Sequence, residues 1–136
     1  YIKRPNYYVF ELYHKHFGSE LIGVNVKSSS YEMKGFSIPY LSVNASINAD
    51  RSKVFLMVIN KNLNETISAT VDLKDFNPSK NGKAWMLVGP SVIATNETNP
   101  NNVTVVNKEF KIKKNNLFEF SFEPHSLTAI EIERKK

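Results

Sequence analysis

The chain has 136 residues, 41% of them apolar, and a formal net charge of +5. This length and apolar content are sufficient for one domain with its own core. It contains no cysteine, which excludes disulfides and thiolate metal sites. No apolar run approaches the roughly eighteen residues of a membrane-spanning helix, and the first residues lack the pattern of a signal peptide. We therefore expect no membrane partner, and the compartment stays open.

The first segment of the chain predicts a helix, ahead of a body that has strand and turn patterns. Pro5 suits the first helical position, where its missing N–H costs nothing, and Gly18 suits a left-handed C-cap. Residues suited to a buried side recur at helical spacing, at Val9, Leu12, Tyr13 and His16 or Phe17. We expect residues 1–18 to be a helix from the end of a larger domain, and residues 19–136 to be a β domain.

The remainder of the chain predicts an all-β fold, an antiparallel β-sandwich of about eight strands. Turn-rich segments at 28–35 and 77–82 and a polar loop at 89–102 separate some of the strands. The candidate strands are 21–27, 40–49, 54–60, 66–74, 84–88, 103–113, 118–123 and 127–133.

The apolar patterns of individual strands indicate where each one lies. The segment 54–60 is apolar on both faces, which is typical of a strand in the middle of a sheet. We expect 118–123 and 127–133 to pair with each other, with Phe118, Phe120 and Phe122 facing the core.

The positive charge does not form a nucleic-acid-binding pattern. The residues Lys108, Lys111, Lys113 and Lys114 alternate with Phe110 and Ile112, as on the solvent face of a strand. A second basic group ends the chain at 134–136, and no RNA-binding aromatic motif accompanies either group. We expect no nucleic-acid partner.

No pair of carboxylates is placed for glycoside hydrolysis. That chemistry needs two carboxylates about 5–5.5 Å apart for retention, or about 6.5–9.5 Å apart for inversion, on either side of the bond. The nearest same-face pairs are Glu131/Glu133 and Glu119/Glu123, whose side chains are expected to stand parallel on an outward face. We expect no catalytic residue in this chain.

Histidine placement and loop composition also predict no metal and no cofactor. On a helix, His14 and His16 point to different sides, and His125 follows a proline in a turn. There is no glycine-rich phosphate loop.

Two surface features leave alternatives open. Four N-glycosylation sequons begin at residues that are expected to be exposed, namely Asn44, Asn64, Asn96 and Asn102. Four aromatic residues in or near loops either form a platform for sugar rings or close the ends of the sandwich, namely Tyr31, Phe36, Tyr40 and Phe76. The single tryptophan, Trp85, is expected to be at least half-buried in its strand.

Taken in order, five segments resemble the C-terminal domain of glycoside hydrolase family 51, the α-L-arabinofuranosidases. They are 5–13, which is similar to the last barrel helix of that family, 38–46, 58–63, 87–103 and 124–132. The resemblance implies a sandwich that follows a catalytic (β/α)₈ barrel and packs against it. It also implies that the catalytic glutamates lie in the barrel, outside this chain. The alternative function is an independent carbohydrate-binding module for arabinose-containing plant polysaccharides.

The breadth of the apolar surface of the helix predicts contact with two bodies. Because successive residues are about 100° apart, its apolar residues cannot share one narrow stripe. We expect one side to face the sandwich and the other a barrel or, alternatively, a second copy of the chain. The candidates for the barrel interface are Tyr8, Phe10, Leu12, Tyr13 and Phe17.

Overall fold

The computed structural model describes residues 1–113 and 116–136, which form one helix and ten strands. Helix α1 is Pro5–Lys15. The strands are β1 Glu20–Ile22, β2 Ser30–Met33, β3 Phe36–Pro39, β4 Leu41–Ile47, β5 Lys53–Asn60, β6 Ile67–Asp72, β7 Pro78–Val88, β8 Thr104–Lys111, β9 Leu117–Phe122 and β10 Ser126–Arg134. The predicted helix followed by an antiparallel all-β body is confirmed.

The main layer is a six-stranded sheet with strand order β1-β4-β5-β10-β7-β8. Two further two-stranded sheets are formed by β2–β3 and by β6–β9, and every pair is antiparallel. Strand β5 lies between β4 and β10, as its two apolar faces predict. The six-stranded sheet therefore has its most apolar strands at its centre.

The larger core lies between the six-stranded sheet and the β6–β9 pair. The predicted core residues Phe118, Phe120 and Phe122 are at most 4% exposed, which confirms their inward orientation. They pack in one cluster with residues of the large sheet such as Leu56 and Ile130. The fold is a sandwich with layers of unequal size.

The expected pairing of the last two strands is wrong. Strand β9 pairs with β6, whereas β10 lies between β5 and β7 in the other layer. Alternation identifies the inward residues of a strand, but it carries no information about the neighbouring strand.

Two predicted turn segments are strands in the structure. The segment 77–82 belongs largely to β7, where Gly82 pairs with Phe110 of β8 and leaves room for the Phe110 ring against its backbone. The segment 28–35 contains β2 and a turn at Lys34 and Gly35, whose φ angles of 49° and 83° suit a two-residue hairpin. Glycine, proline and asparagine are common in loops, which is why these segments were predicted to be turns. The prediction failed because the same residues also occur at strand starts, close backbone contacts and hairpin turns.

The helix ends earlier than Gly18, which is not its C-cap. His16 occupies the C-cap position, and its backbone N–H donates to the Leu12 carbonyl oxygen at 2.8 Å. A side chain at position 18 would collide with the Ile47 backbone, so Gly18 permits the chain to cross closely over β4.

We expect Phe118→Ala to lower the free energy of unfolding by about 3–5 kcal/mol, because it leaves a cavity between the two layers. Urea denaturation of the chain measures this. The matched control is Glu119→Ala on the opposite face of β9, whose exposed ion pair contributes about 1 kcal/mol or less. Equal losses in the two variants would contradict the assignment of Phe118 to the core.

Candidate functional site

Helix α1 lies on the side of the six-stranded sheet that faces away from β6–β9, and we call this side the helix face. Leu12, only 2% exposed, points from the helix into a second cluster of buried residues on this face. The other members of that cluster are Met57, Leu87, Val103, Leu127 and Ala129. The central strands are therefore buried on both faces, by β6–β9 on one side and by α1 on the other.

The five residues predicted for a barrel interface occupy three different environments. Phe10 is 75% exposed and points away from the sheet. Tyr8, Tyr13 and Phe17 are half-buried and pack against the cluster under the helix. The prediction that Leu12 contacts a barrel is wrong, because its side chain is buried between the helix and the sheet of this domain.

Part of the helix face is not covered by α1. Ser42, Ile59, Leu127 and Leu87 are successive cross-strand partners and so share one face. Leu127 and Leu87 are buried, whereas Ile59 is 38% exposed and Ser42 is half-buried. The helix thus covers β10, β7 and β8 and leaves part of β4 and β5 accessible beside it.

Contacts of the Glu131 carboxylate with His16 and Lys53 hold the C-terminal end of the helix. His16 Nδ1 lies 2.9 Å from Glu131 Oε1 on β10, and Lys53 Nζ donates to Glu131 Oε2 at 3.3 Å. The imidazole stacks on Trp85, with ring centroids 3.9 Å apart. Gly18 N–H then donates to Ser46 Oγ at 2.8 Å. These contacts hold the end of the helix against the sheet.

Sequence reasoning missed these contacts. We placed His16 on the same side of the helix as Leu12, and we expected Glu131 to stand on the solvent face. In the structure the Glu131 side chain is only 14% exposed and that of His16 11%, and the two lie within hydrogen-bond distance. One feature of the sequence could have indicated these contacts, namely a single carboxylate between Ile130 and Ile132 on a central strand. A carboxylate is costly to bury without a partner, so its position predicts a basic or hydrogen-bonding group nearby.

Asn96 fixes the N-terminal end of the helix. Its Nδ2 donates to the carbonyl oxygens of Lys3 at 2.8 Å and Val103 at 2.9 Å, and its Oδ1 accepts from Val103 N–H at 2.7 Å. Asn96 is fully buried, so its expected exposure was wrong and its amide nitrogen cannot carry a glycan in this fold.

The other three sequons differ in accessibility. Asn44 and Asn64 are exposed, and Asn102 is half-buried and donates to the Thr95 carbonyl oxygen at 2.9 Å. Asn44 lies opposite Met57 on the helix face, so a glycan there would occupy the accessible strip beside the helix.

Charged groups flank the exposed side of α1. Lys15 Nζ donates to Glu11 Oε1 at 3.0 Å, and this hydrogen bond lowers the pKa of the Glu11 carboxyl. Lys3 Nζ lies 4.7 Å from the centre of the Tyr7 ring, and its interaction with Tyr7 raises the pKa of the Lys3 ammonium group. The exposed aromatic side chains of Phe10 and Tyr7 thus lie on a helix surface that also carries the charged groups of Lys3, Glu11 and Lys15.

The described residues form no arrangement that suits catalysis or metal binding. Glu131 is engaged by His16 and Lys53, while Glu133 is exposed. His125 joins two loops, since its ring nitrogens lie 3.0 Å from the carbonyl oxygens of Leu63 and Gly89. Within 1–113 and 116–136, no three His, Asp or Glu side chains are grouped to hold a metal ion.

The aromatic residues considered for sugar binding are dispersed. Trp85 is half-buried and stacks on His16, and Phe76 is buried with the Arg134 guanidinium carbon 4.5 Å from its ring centre. Tyr31 and Tyr40 are neighbours at 5.1 Å but are inclined by 37°. Of these residues, only Phe36 is largely exposed, at 73%.

Basic side chains collect at the end of the sandwich where β10 finishes. They are Lys80, Lys111, Lys113, Arg134, Lys135 and Lys136, which line an open cleft that also contains Glu133. Lys108 lies away from this cleft, with its ammonium group 4.6 Å from the centre of the Phe120 ring, and Lys114 lies outside the described residues. The described helix is too short and too polar to cross a membrane.

Comparison with known protein families gives a match that includes both the helix and most of the sandwich. The α-L-arabinofuranosidase C-terminal domain family matches residues 1–126. No curated protein sequence matches the chain significantly.

Solved structures reproduce the fold. The thermostable glycoside hydrolase family 51 α-L-arabinofuranosidase of Thermotoga petrophila RKU-1 is 30% identical, with a TM-score of 0.86 over 97% of this chain and 29% of its own. The arabinose complex of the Thermotoga maritima α-L-arabinofuranosidase is 29% identical, with a TM-score of 0.85 and the same coverage. This chain therefore spans less than a third of the length of either enzyme.

A more distant neighbour shares the fold alone. CelM2, a bifunctional glucanase-xylanase from a metagenome library, is 16% identical, with a TM-score of 0.70 over 96% of this chain and 22% of its own.

We expect Glu131→Gln to lower the free energy of unfolding by about 1.5–3 kcal/mol, because it weakens hydrogen bonds between charged groups beneath the helix. Urea denaturation followed by the fluorescence of Trp85 measures the loss next to the affected contact. Glu133→Gln, two residues along the same strand and exposed, is the matched control and should stay within about 0.5 kcal/mol. A similar loss in both variants would contradict a specific role for Glu131.

Proposed function

Because this chain belongs to the α-L-arabinofuranosidase C-terminal domain family, we propose that it is the non-catalytic sandwich of an α-L-arabinofuranosidase-like glycoside hydrolase. In this proposal it packs against a catalytic (β/α)₈ barrel that precedes it in the same polypeptide, and stabilises that barrel. We call this longer polypeptide the parent protein.

The observation that carries the proposal is the outward side of α1. One side of the helix is buried through Leu12, while Phe10 is 75% and Tyr7 37% exposed on the other. Exposed aromatic side chains on a helix whose other side is already buried are typical of an interaction surface. A helix that is apolar on two sides suits a position between two domains.

The proposal makes α1 the element shared by both domains. In chain order, residues 1–18 form the last helix of the barrel and 19–136 the sandwich. The contacts of α1 with β7, β8 and β10, together with His16 and Asn96 at its two ends, attach it to the sandwich. A barrel that packs on the outward side of α1 would therefore be held at a fixed orientation.

A non-catalytic role is supported by the state of the carboxylates. Glu131 is engaged in ion pairing, and Glu119 and Glu133 are exposed on strands. Glu131 and Glu133 lie two residues apart on one face of β10, so their side chains project in the same direction and do not stand on either side of a bond, as the acid and the nucleophile or base of a glycosidase do.

We expect the isolated chain to leave an aryl α-L-arabinofuranoside unhydrolysed, because the acid and nucleophile would lie in the barrel. Release of the aryl group, compared with that by the parent protein at equal concentration, measures this. Turnover by the pure chain that disappears in Glu131→Gln or Glu133→Gln would contradict a non-catalytic role.

We expect Phe10→Ser to destabilise the parent protein but not the isolated chain. In the isolated chain the ring is already in water, so the free energy of unfolding should change by about 0.5 kcal/mol or less. In the parent protein the lost burial should cost about 1–3 kcal/mol. Thermal and urea unfolding of both proteins provide the comparison.

Thr70→Ser is the control, since Thr70 is exposed on β6, opposite the exposed Glu119 and in the layer that faces away from α1. An equal effect of Phe10→Ser in both proteins would contradict the proposed interface. So would a dimer of the isolated chain that dissociates on the same substitution, since that would assign the surface to self-association.

A further inference from the structure

The β2–β3 hairpin has one apolar and one polar face. Tyr31 is opposite Ile38 and Met33 is opposite Phe36, and because residues two apart in a strand point the same way, these four side chains share a face. The other face carries the remaining strand residues, namely Ser30, Glu32, Ser37 and Pro39. This alternation is typical of a sheet with one buried face.

Within this chain the apolar face is only half covered. At the root of the hairpin, Tyr31 and Ile38 are half-buried, and Tyr31 packs on Tyr40. At the tip, Met33 is 52% and Phe36 73% exposed. A two-stranded hairpin is marginally stable in water unless its apolar face packs on something else.

The hairpin arises at the end of the sandwich where α1 begins. Its root is held by Lys61 N–H, which donates to the Tyr40 carbonyl oxygen at 2.8 Å beside the end of β5. Asn96 is hydrogen-bonded to Val103 beside the start of β8 and donates to the Lys3 carbonyl oxygen, which places the start of the chain at the same end of the six-stranded sheet. Four strand spacings separate β4 from β8, a distance of about 19 Å.

Other exposed apolar side chains lie in loops at this end. Leu63 is 55%, Val92 65% and Ile93 85% exposed. His125 joins two of these loops through the carbonyl oxygens of Leu63 and Gly89. These loops and the root of the hairpin therefore lie at the same end of the sandwich.

We propose that the β2–β3 hairpin is a second docking arm, whose apolar face lies on the barrel domain of the parent protein. This inference rests on the proposed function. Because the barrel would pack along α1, which begins at this end of the sandwich, it can extend over the hairpin: about 19 Å is well within the width of a barrel domain of typically about 250 residues. The two arms would then contact the barrel on either side of the accessible strip of the helix face.

The chemistry of the apolar face favours a protein surface over a polysaccharide. Sugar sites combine ring faces with convergent polar groups that fix orientation. Here Met33 and Ile38 add aliphatic surface to the two rings, while Glu32 and Ser37 point to the opposite side.

The test compares amide hydrogen exchange at residues 31–38 in the parent protein and in the isolated chain. We expect exchange there to be about tenfold slower or more in the parent protein, because docking suppresses local opening of the hairpin. The double variant Met33→Ser/Phe36→Ser should abolish the difference. In the isolated chain the same variant should leave the unfolding midpoint unchanged, which also shows that it folds.

The matched control is Glu32→Gln/Ser37→Ala, on the polar face of the same hairpin, which should preserve the slow exchange. Phe10→Ser in the parent protein separates the two proposals. If Phe10→Ser destabilises the parent protein while exchange at 31–38 is equally fast in both proteins, the docking arm is wrong and the proposed function stands. If Phe10→Ser has the same effect on the parent protein and the isolated chain, and exchange at 31–38 is equally fast in both, both proposals are wrong.

Two further results would overturn the docking arm by assigning its face to another occupant. One is a dimer of the isolated chain, seen by light scattering, that dissociates in Met33→Ser/Phe36→Ser. The other is micromolar binding of arabinan or arabinoxylan to the isolated chain, measured by calorimetry, that the same variant abolishes.

Discussion

The centre of the six-stranded sheet is apolar on both faces, and each face must be shielded from water by other parts of the chain. On one side, Phe118, Phe120 and Phe122 of β9 provide it. On the other, Met57 and Ala129 are buried beneath α1, together with Leu12 of the helix itself. An isolated helix of 11 residues is too short to be stable in water. The sheet therefore stabilises the helix that covers it, and neither would persist in this form alone.

The contact between His16 and the Glu131 carboxylate determines how α1 is oriented on the sheet. A carboxylate between Ile130 and Ile132 must be paired to be buried, and His16 reaches it only when the last turn of the helix lies over Trp85. Buried ion pairs often contribute little net stability, because desolvation offsets the attraction. The consequence here is geometric: with His16 and Asn96 holding its two ends, α1 cannot rotate, and Phe10 must point outward.

Local patterns in the sequence predicted which residues of β9 face the core, because alternation depends only on neighbouring positions in the strand. They did not predict partners that are distant along the chain, such as β6 for β9, or Glu131 for His16, which is 115 residues away. The hairpin escaped notice because serine and glycine dominate its segment, although Met33 and Phe36 flank a two-residue turn. Burial of Asn96 was also not predictable, since its three hydrogen bonds depend on where the first residues of the chain lie.

A sandwich of this fold also occurs in a glucanase-xylanase, so the layers themselves do not determine which sugar an enzyme acts on. What distinguishes one domain from another is the distribution of side chains over its ends. Here exposed apolar residues, including Phe36 and Ile93, lie at the end where α1 begins, while Lys111, Arg134 and Lys135 lie at the opposite end. Bringing that basic end against an apolar surface would require desolvating several charges, which is costly without partners. The charge distribution therefore supports the proposal that a second domain packs on α1 and on the hairpin end, away from the basic cleft.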